Sequence, residues 1–436
     1  MSRTDRTAAS LALLLAACKG DDIEISEVEA VVSDDVATVV IVTWRTDVPT
    51  RGHVLFGVEG EGERATADTP EGTEHRAVLV GLPANAAISG EVVSGDSTAP
   101  LPPLETGSLP DDIPTTSFEG EPGDDFALTS ATVAGSEEIA SNWVLLTDPA
   151  GRVVWYHRDD RGLSIFRARA SVDGAGVVYA SVLENGGPSE NSELVRVSWD
   201  GSTESAVAVP NLAHDFVERE DGVVVSLGYV FRDDIEGNDL VEIRADGSTE
   251  SLWTTWDCFD PVENAGDDPA HGWTHANALD YDLASGDYLV GLRNLATIAR
   301  VDTATRTCPW GFGGTGGTVD IEGTRFIHQH GFELAGDRML VFDNDGGAGN
   351  VSRGIEYAFD EDALTATEER VLVADPPLYS FIMGDIHRLD DGGTVLLWSV
   401  PQLIDRLDAE GVRVGRLSIE GGAALGFVEL IRDPGR

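Results

Sequence analysis

Leu194-Val-Arg-Val-Ser-Trp-Asp-Gly201 decides the reading of the fold, because the chain keeps returning to it. Variants follow at Leu240-Val-Glu-Ile-Arg-Ala-Asp-Gly247, Ile298-Ala-Arg-Val-Asp-Thr-Ala-Thr305 and Leu403-Ile-Asp-Arg-Leu-Asp-Ala-Glu-Gly411. Each is an alternating run closed by Asp-Gly or a similar turn. Alternation puts every second side chain on one face, and Asp-Gly tolerates the backbone of a tight reversal, so each copy reads as a strand entering a hairpin. One such unit cannot bury its own apolar face. Repetition at about 40 to 60 residues lets neighbours bury it for one another, as in a propeller or a solenoid.

Working outward from the repeat, about six units can be counted, within the range of propeller blades. Trp143-Val-Leu-Leu-Thr-Asp-Pro-Ala-Gly-Arg-Val-Val-Trp-Tyr156 opens the series as strand, turn and strand. Central strands follow at Gly176-Val-Val-Tyr-Ala-Ser181, Gly222-Val-Val-Val-Ser-Leu227, Asp287-Tyr-Leu-Val-Gly-Leu292, Arg338-Met-Leu-Val-Phe-Asp343 and Thr394-Val-Leu-Leu-Trp398. Their uneven spacing favours a closed ring over a solenoid. Upstream, Val39-Val-Ile-Val-Thr-Trp44 and the short strands after it read as a small β-sandwich over residues 23–95, which resembles fibronectin type III-like domains attached to secreted enzymes. The proline-rich and acidic residues 96–125 read as a linker or extended wrap, and 126–436 as the propeller. The expected fold is all-β: a six-bladed β-propeller preceded by a small β-sandwich.

Acidic residues outnumber basic ones 77 to 29 in the 436-residue chain, for a formal net charge of −48. Such a surface repels phosphate, so nucleic acid is not an expected partner. Lys19 is the only lysine, which leaves no lysine for Schiff-base chemistry in the folded domains. Residues 1–18 read as a lipoprotein-type signal peptide: Arg3 and Arg6 precede the short apolar run Leu11-Ala-Leu-Leu-Leu-Ala-Ala17, and small residues lead into Cys18. The expectation is export to the periplasm or cell surface, with Cys18 lipidated and the membrane touched only through that anchor. Cys258 and Cys308 can pair in such a compartment, though spacing alone does not decide it.

In a propeller the first strand of each blade lines the central channel, with alternate residues facing inward. Aligning the first strands sets Ala213-His-Asp-Phe-Val217 against Gln329-His-Gly-Phe-Glu333, pairing His214 with His330. Trp273-Thr-His-Ala-Asn-Ala-Leu279 puts Asn277 at the same level, with His275 two residues earlier beside His328. These five side chains are expected to converge at one depth, in a chain with nine histidines. The plain alternative is that they only satisfy backbone groups in the channel wall. His387, in Gly384-Asp-Ile-His-Arg-Leu389, falls on the opposite face by parity unless a bulge restores it.

These stretches, with Gly291-Leu-Arg-Asn294, Trp310-Gly-Phe-Gly-Gly314, Phe326-Ile-His-Gln-His330, Val341-Phe-Asp-Asn344 and Ser352-Arg-Gly-Ile-Glu-Tyr357, resemble the bacterial arylsulfate sulfotransferase family over about residues 125 to 435. The resemblance implies a six-bladed propeller that moves sulfuryl groups between phenols, with no nucleotide donor and no cofactor. It implies His330 as first choice for the histidine that carries the group and His387 as runner-up, with His214 and His275 as further catalytic histidines. The residue types suit this chemistry. A sulfate ester disperses its negative charge over several oxygens, which Arg353 can clamp in fork geometry with Arg293 assisting. A neutral imidazole can attack sulfur, and the other histidines can move protons at the phenol oxygens. His328 and Asn277 complete the expected substrate-binding set.

Two rival uses remain open at this point: a non-catalytic propeller that binds an anionic small molecule or a surface partner, and a metal-dependent hydrolase. His328 and His330, with His214 and His275 nearby, can be drawn as zinc or copper ligands, but no Cys or Glu motif accompanies them. Gly311-Phe-Gly-Gly-Thr-Gly316 matches a dinucleotide glycine pattern only formally, since no helix follows. Asp343-Asn-Asp-Gly-Gly347 reads as a turn whose oxygens would also suit calcium.

Overall fold

The computed structural model describes residues 23–134, 139–182, 188–261, 272–344 and 350–435. The leader and Cys18 lie outside the described residues, as do Asp345, Gly346 and Gly347 of the turn considered above. Six sheets of four or five strands form a propeller. Blade one spans 165–208, blade two 212–254, blade three 276–313 and blade four 332–372. The strand Asp320–Glu322 is added to blade four's outer edge. Blade five spans 385–420, and blade six joins residues from both ends of the domain.

Second strands are buried on both faces, as in Gly176–Ser181, where all six residues are buried. That is why they read as continuous apolar runs rather than alternating ones. Outermost strands such as Glu204–Ala208 are largely exposed. The ring is stitched twice. The C-terminal strand Ala424–Ile431 pairs with Phe126–Ala134 and becomes the inner strand of blade six. Thr115–Gly120 pairs with Arg413–Glu420 as the outermost strand of blade five. Residues 96–125 therefore carry three short strands: Thr115–Gly120, and Ser97–Pro100 and Leu104–Glu105 in the sandwich.

The sandwich sets Ile25–Val32, Val40–Thr50 and Gly72–Leu79 against a second sheet built on Gly52–Val58 and Ala87–Ser94, with Trp44, Phe56 and Leu79 between them. Its connecting loops hydrogen-bond to blades one and six: Ser33 Oγ donates to the Asp200 carbonyl (2.5 Å) and Thr38 Oγ1 to that of Val154 (2.8 Å). Cys258 and Cys308 form a disulfide, linking blade two to blade three.

One consequence of this meander governs function. Each inner strand starts at the same end of the ring, and each second-to-third-strand turn lies at that end too. The repeated Asp-Gly turns, between third and fourth strands, lie at the opposite end. Arg293, Asn344 and Arg353 sit at second-to-third turns and so share the end at which His214, His275 and His330 enter the inner strands.

Candidate active site

At that entry end the inner strands depart from regular pairing. Register shifts fall between Ile165 and Ala168 in blade one, Leu212 and Phe216 in blade two, and Ala276 and Ala278 in blade three. An extra residue in one strand bends it and re-aims the side chains it carries. The side chains within these shifts include Arg167, His214, Asp215 and Asn277.

The His214 ring lies between Phe166, stacked at 4.8 Å, and His275 at 5.1 Å. His275 precedes its strand with a left-handed backbone, φ 45°, which for a non-glycine residue costs about 1–3 kcal/mol and needs support. Support comes from both sides. The Asn238 Oδ1 accepts from Thr274 Oγ1 and from the Ala276 N–H, each at 2.8 Å. The N–H groups of Arg293 and Asn294 donate to the carbonyls of His275 and Thr274, both at 3.1 Å. Arg293 is thereby fixed beside the histidine turn.

Asn277 Nδ2 donates to the Gln329 carbonyl (2.7 Å), and Gln329 Nε2 to that of Thr297 (3.1 Å). These bonds settle both amide orientations. Among the described residues they leave Asn277 Oδ1 and Gln329 Oε1 as buried acceptors with no hydrogen-bond donor.

His330 is buried, and its Nδ1 lies 2.7 Å from Asn344 Oδ1. The Asn344 Nδ2 donates to the carbonyls of Ser380 (2.8 Å) and Met383 (2.6 Å), so its oxygen must be the atom facing the ring. Nδ1 therefore carries the proton and Nε2 keeps its lone pair. Burial, reinforced by the Arg293 charge, lowers the His330 pKa to about 3 against the weaker pull of Asn344, so the ring is neutral across ordinary pH.

Arg353 is committed differently from the clamp drawn from the sequence. Its Nε donates to the buried Asp343 Oδ2 (2.9 Å), while Asp343 Oδ1 accepts the Ile327 N–H (3.0 Å). That pair anchors the segment leading to His328. His328 is half-buried with φ 57° and lies in an irregular approach to Phe332–Ala335, so the expectation that His328 and His330 share a strand face does not hold. Both histidines still act on one another electrostatically.

Below the imidazoles Arg167 crosses the channel. Its Nε and a terminal nitrogen donate to Asp215 (3.0 and 3.2 Å), its other terminal nitrogen to Asp385 (3.2 Å), and its guanidinium covers Phe427 at 4.1 Å. This pair-bridged guanidinium floors the site. Gly331 is required beside it, since a Cβ there would stand 2.0 Å from Asp385 Oδ1. His387 belongs to this deeper layer. It contacts Asp385 Oδ2 (3.1 Å), the Val428 carbonyl (3.0 Å) and Glu333 Oε2 (3.6 Å). Burial opposes its charge, but Asp385 and Glu333 outweigh burial and hold it up to about 10.

The structure thus gathers His214, His275, Asn277, Arg293, His328 and His330 at one mouth, and ties Arg353 to Asp343 and His387 to Asp385. Sequence reasoning passed over Asn238, Asn344 and Arg167. Asn344 stood in a quoted motif, but nothing in one sequence marks an amide as a tautomer lock. Among the described residues no three His, Cys, Asp or Glu side chains are grouped as ligands for an ion. The glycine run at Gly311–Gly313 is the outer strand of blade three and precedes no helix.

A family model described as arylsulfotransferase (ASST) matches residues 124–410. No curated protein matches the chain. Similar solved structures include an auxiliary nutrient binding protein from Bacteroides thetaiotaomicron, at 8% identity and TM-score 0.40 over 92% of this chain and 85% of that one. The β-propeller domain of Cps50 (Swd1) from Myceliophteria thermophila gives 12% and 0.35 over 71% and 100%. Apo AztD from Citrobacter koseri gives 10% and 0.32 over 87% and 98%. Likenesses this distant carry no functional argument.

Proposed function

Since the chain belongs to the arylsulfotransferase family, we propose that it moves a sulfuryl group from an aryl sulfate to a phenolic acceptor at the imidazole-lined mouth of the channel. The observation that carries this reading is the state of His330: a buried neutral ring with Nδ1 held by Asn344 and a lone pair on Nε2. Nε2 attacks sulfur, the bond from sulfur to the aryl oxygen breaks, and the phenolate leaves with a proton from a neighbouring imidazole. The N-sulfo ring then meets an acceptor phenol. Its oxygen attacks sulfur, the N–S bond breaks, and the phenol proton returns to the imidazole, which balances the cycle. His275 and His214 are the proton carriers in this scheme, and Asn277 holds the Gln329 carbonyl next to His330. Arg293 takes the part of the anion clamp. Arg353 acts through Asp343 on the His328 segment, and His387, held protonated, has no lone pair to offer.

Further parts of the proposal concern the chain's setting. The leader pattern and Cys18 support export with a lipid anchor at the periplasm or cell surface, and the Cys258–Cys308 disulfide suits an oxidising compartment. The two sheet orders of residues 25–105 support a fibronectin type III-like reading of the sandwich.

The test is release of nitrophenol from p-nitrophenyl sulfate with and without added phenol. Acceptor-dependent release is expected. Release by water alone would make the protein a sulfatase, no release a binder, and loss of turnover on chelation a metalloenzyme. His330→Asn should abolish turnover with a nearly unchanged thermal melt, and full activity in that variant would move the nucleophile elsewhere.

A further inference from the structure

The loop between blades four and five does two things at once. Its buried Ser380 and Met383 present the carbonyls that hold Asn344, and through it His330. Between and beside them Tyr379, Phe381 and Ile382 are turned outward, 37%, 52% and 38% exposed. Ile327, next to His328, is 44% exposed on the same end of the ring. Single exposed apolar residues are ordinary, but a group of large ones clustered on one loop and its neighbour is not. In a chain of net charge −48 this apolar rim borders a mouth that holds Arg293 and the neutral imidazole of His330.

We propose that this rim selects substrates whose apolar surface extends beyond one phenol ring, such as alkyl-substituted or polycyclic aryl sulfates and phenols. The inference rests on the sulfuryl-transfer reading of the same mouth and names the part of the substrate that the histidines do not touch. The occupant follows from continuity with the site. A molecule with its sulfur at His330 Nε2 that extends out of the mouth emerges at the end of the ring where this loop and Ile327 lie. Its outer portion then meets side chains rather than solvent. Each methylene buried there is worth roughly a factor of four in affinity.

The experiment compares para-pentylphenol with phenol as acceptors from p-nitrophenyl sulfate, in the intact protein, in a Phe381→Ser/Ile382→Ser double variant, and in Val412→Ser. Val412 is an exposed apolar residue at the opposite end of the ring. The ratio of kcat/KM for the two acceptors should fall about tenfold in the double variant and stay constant in Val412→Ser. An unchanged ratio in the double variant overturns the proposal. If the intact protein turns over neither acceptor, the transfer reading fails on its own, and calorimetry of para-pentylphenyl sulfate against ethyl sulfate decides the rim. Selective loss of the aryl ester by the double variant supports it, and equal binding overturns it. A change of oligomeric state or of vesicle binding in the double variant, with the ratio intact, would assign the rim to a second copy or to a membrane and also overturn it.

Discussion

Replacing Asn344 with aspartate tests the central claim, because His330 and His387 already show what the change should do. His330 faces an amide and lies near Arg293, and its pKa sits at about 3. His387 faces Asp385 and Glu333 and sits at about 10. A carboxylate in place of the Asn344 oxygen, 2.7 Å from Nδ1, moves His330 toward the second condition. An opposite charge in contact raises an imidazole by about 1–3 units, which puts the variant at about 4–6. The lone pair on Nε2 then disappears in weakly acidic solution, where the native ring keeps it. The assay is the burst of nitrophenol from p-nitrophenyl sulfate in rapid-quench mixing without acceptor, read across pH. The native burst should persist down to about pH 4, and the Asn344→Asp burst should halve between about pH 4 and 6. Two coincident acid limbs, or a native limb near the free-histidine value of about 6.5, would refute the tautomer argument. The carboxylate also faces the Ser380 and Met383 carbonyls, so a lower melting temperature is expected and does not bear on the pH limb.

Two further outcomes follow. Arg293→Gln should lower turnover by about a hundredfold or more, as loss of a positive donor at a developing anion does. Arg353→Gln should mainly destabilise the fold, since it strands the buried Asp343, and thermal melts beside transfer rates separate the two. Stability should also peak between the titrations of the two histidines. His330, depressed on folding, contributes stability that is full above about pH 6.5 and lost as pH falls toward about 3. His387, raised on folding, contributes stability that is full below about 6.5 and lost as pH rises through about 10. Denaturant midpoints against pH should show His330→Asn flattening the acid flank and His387→Gln the alkaline one, and a profile unmoved by both would contradict the burial and pairing described.

The blades were legible because burial on both faces writes long apolar runs, and turn chemistry writes Asp-Gly. The mouth was legible because few histidines exist and they recur at one place in the repeat. Side-chain direction was not. Parity assumes an extended strand, whereas His275 and His328 have left-handed backbones and the strands carrying Arg167, His214 and Asn277 shift register at those residues. Roles were hidden for a related reason. Arg353 and Arg293 look alike in a sequence. Only the Asp343 carboxylate, reached through pairing of neighbouring strands, tells the structural guanidinium from the one whose charge reaches His330.

The same contrast explains why one channel can hold two histidines in opposite states. Burial acts against the charge of both rings, fully at His330 and in part at His387. What differs is the floor between them. Arg167 takes its two carboxylates from Asp215 and Asp385, and Asp385 also faces His387. Negative charge from Asp385 and Glu333 therefore gathers at His387, while the leading charge acting on His330 is the positive one of Arg293. A cationic imidazole is stabilised at His387 and a neutral one at His330.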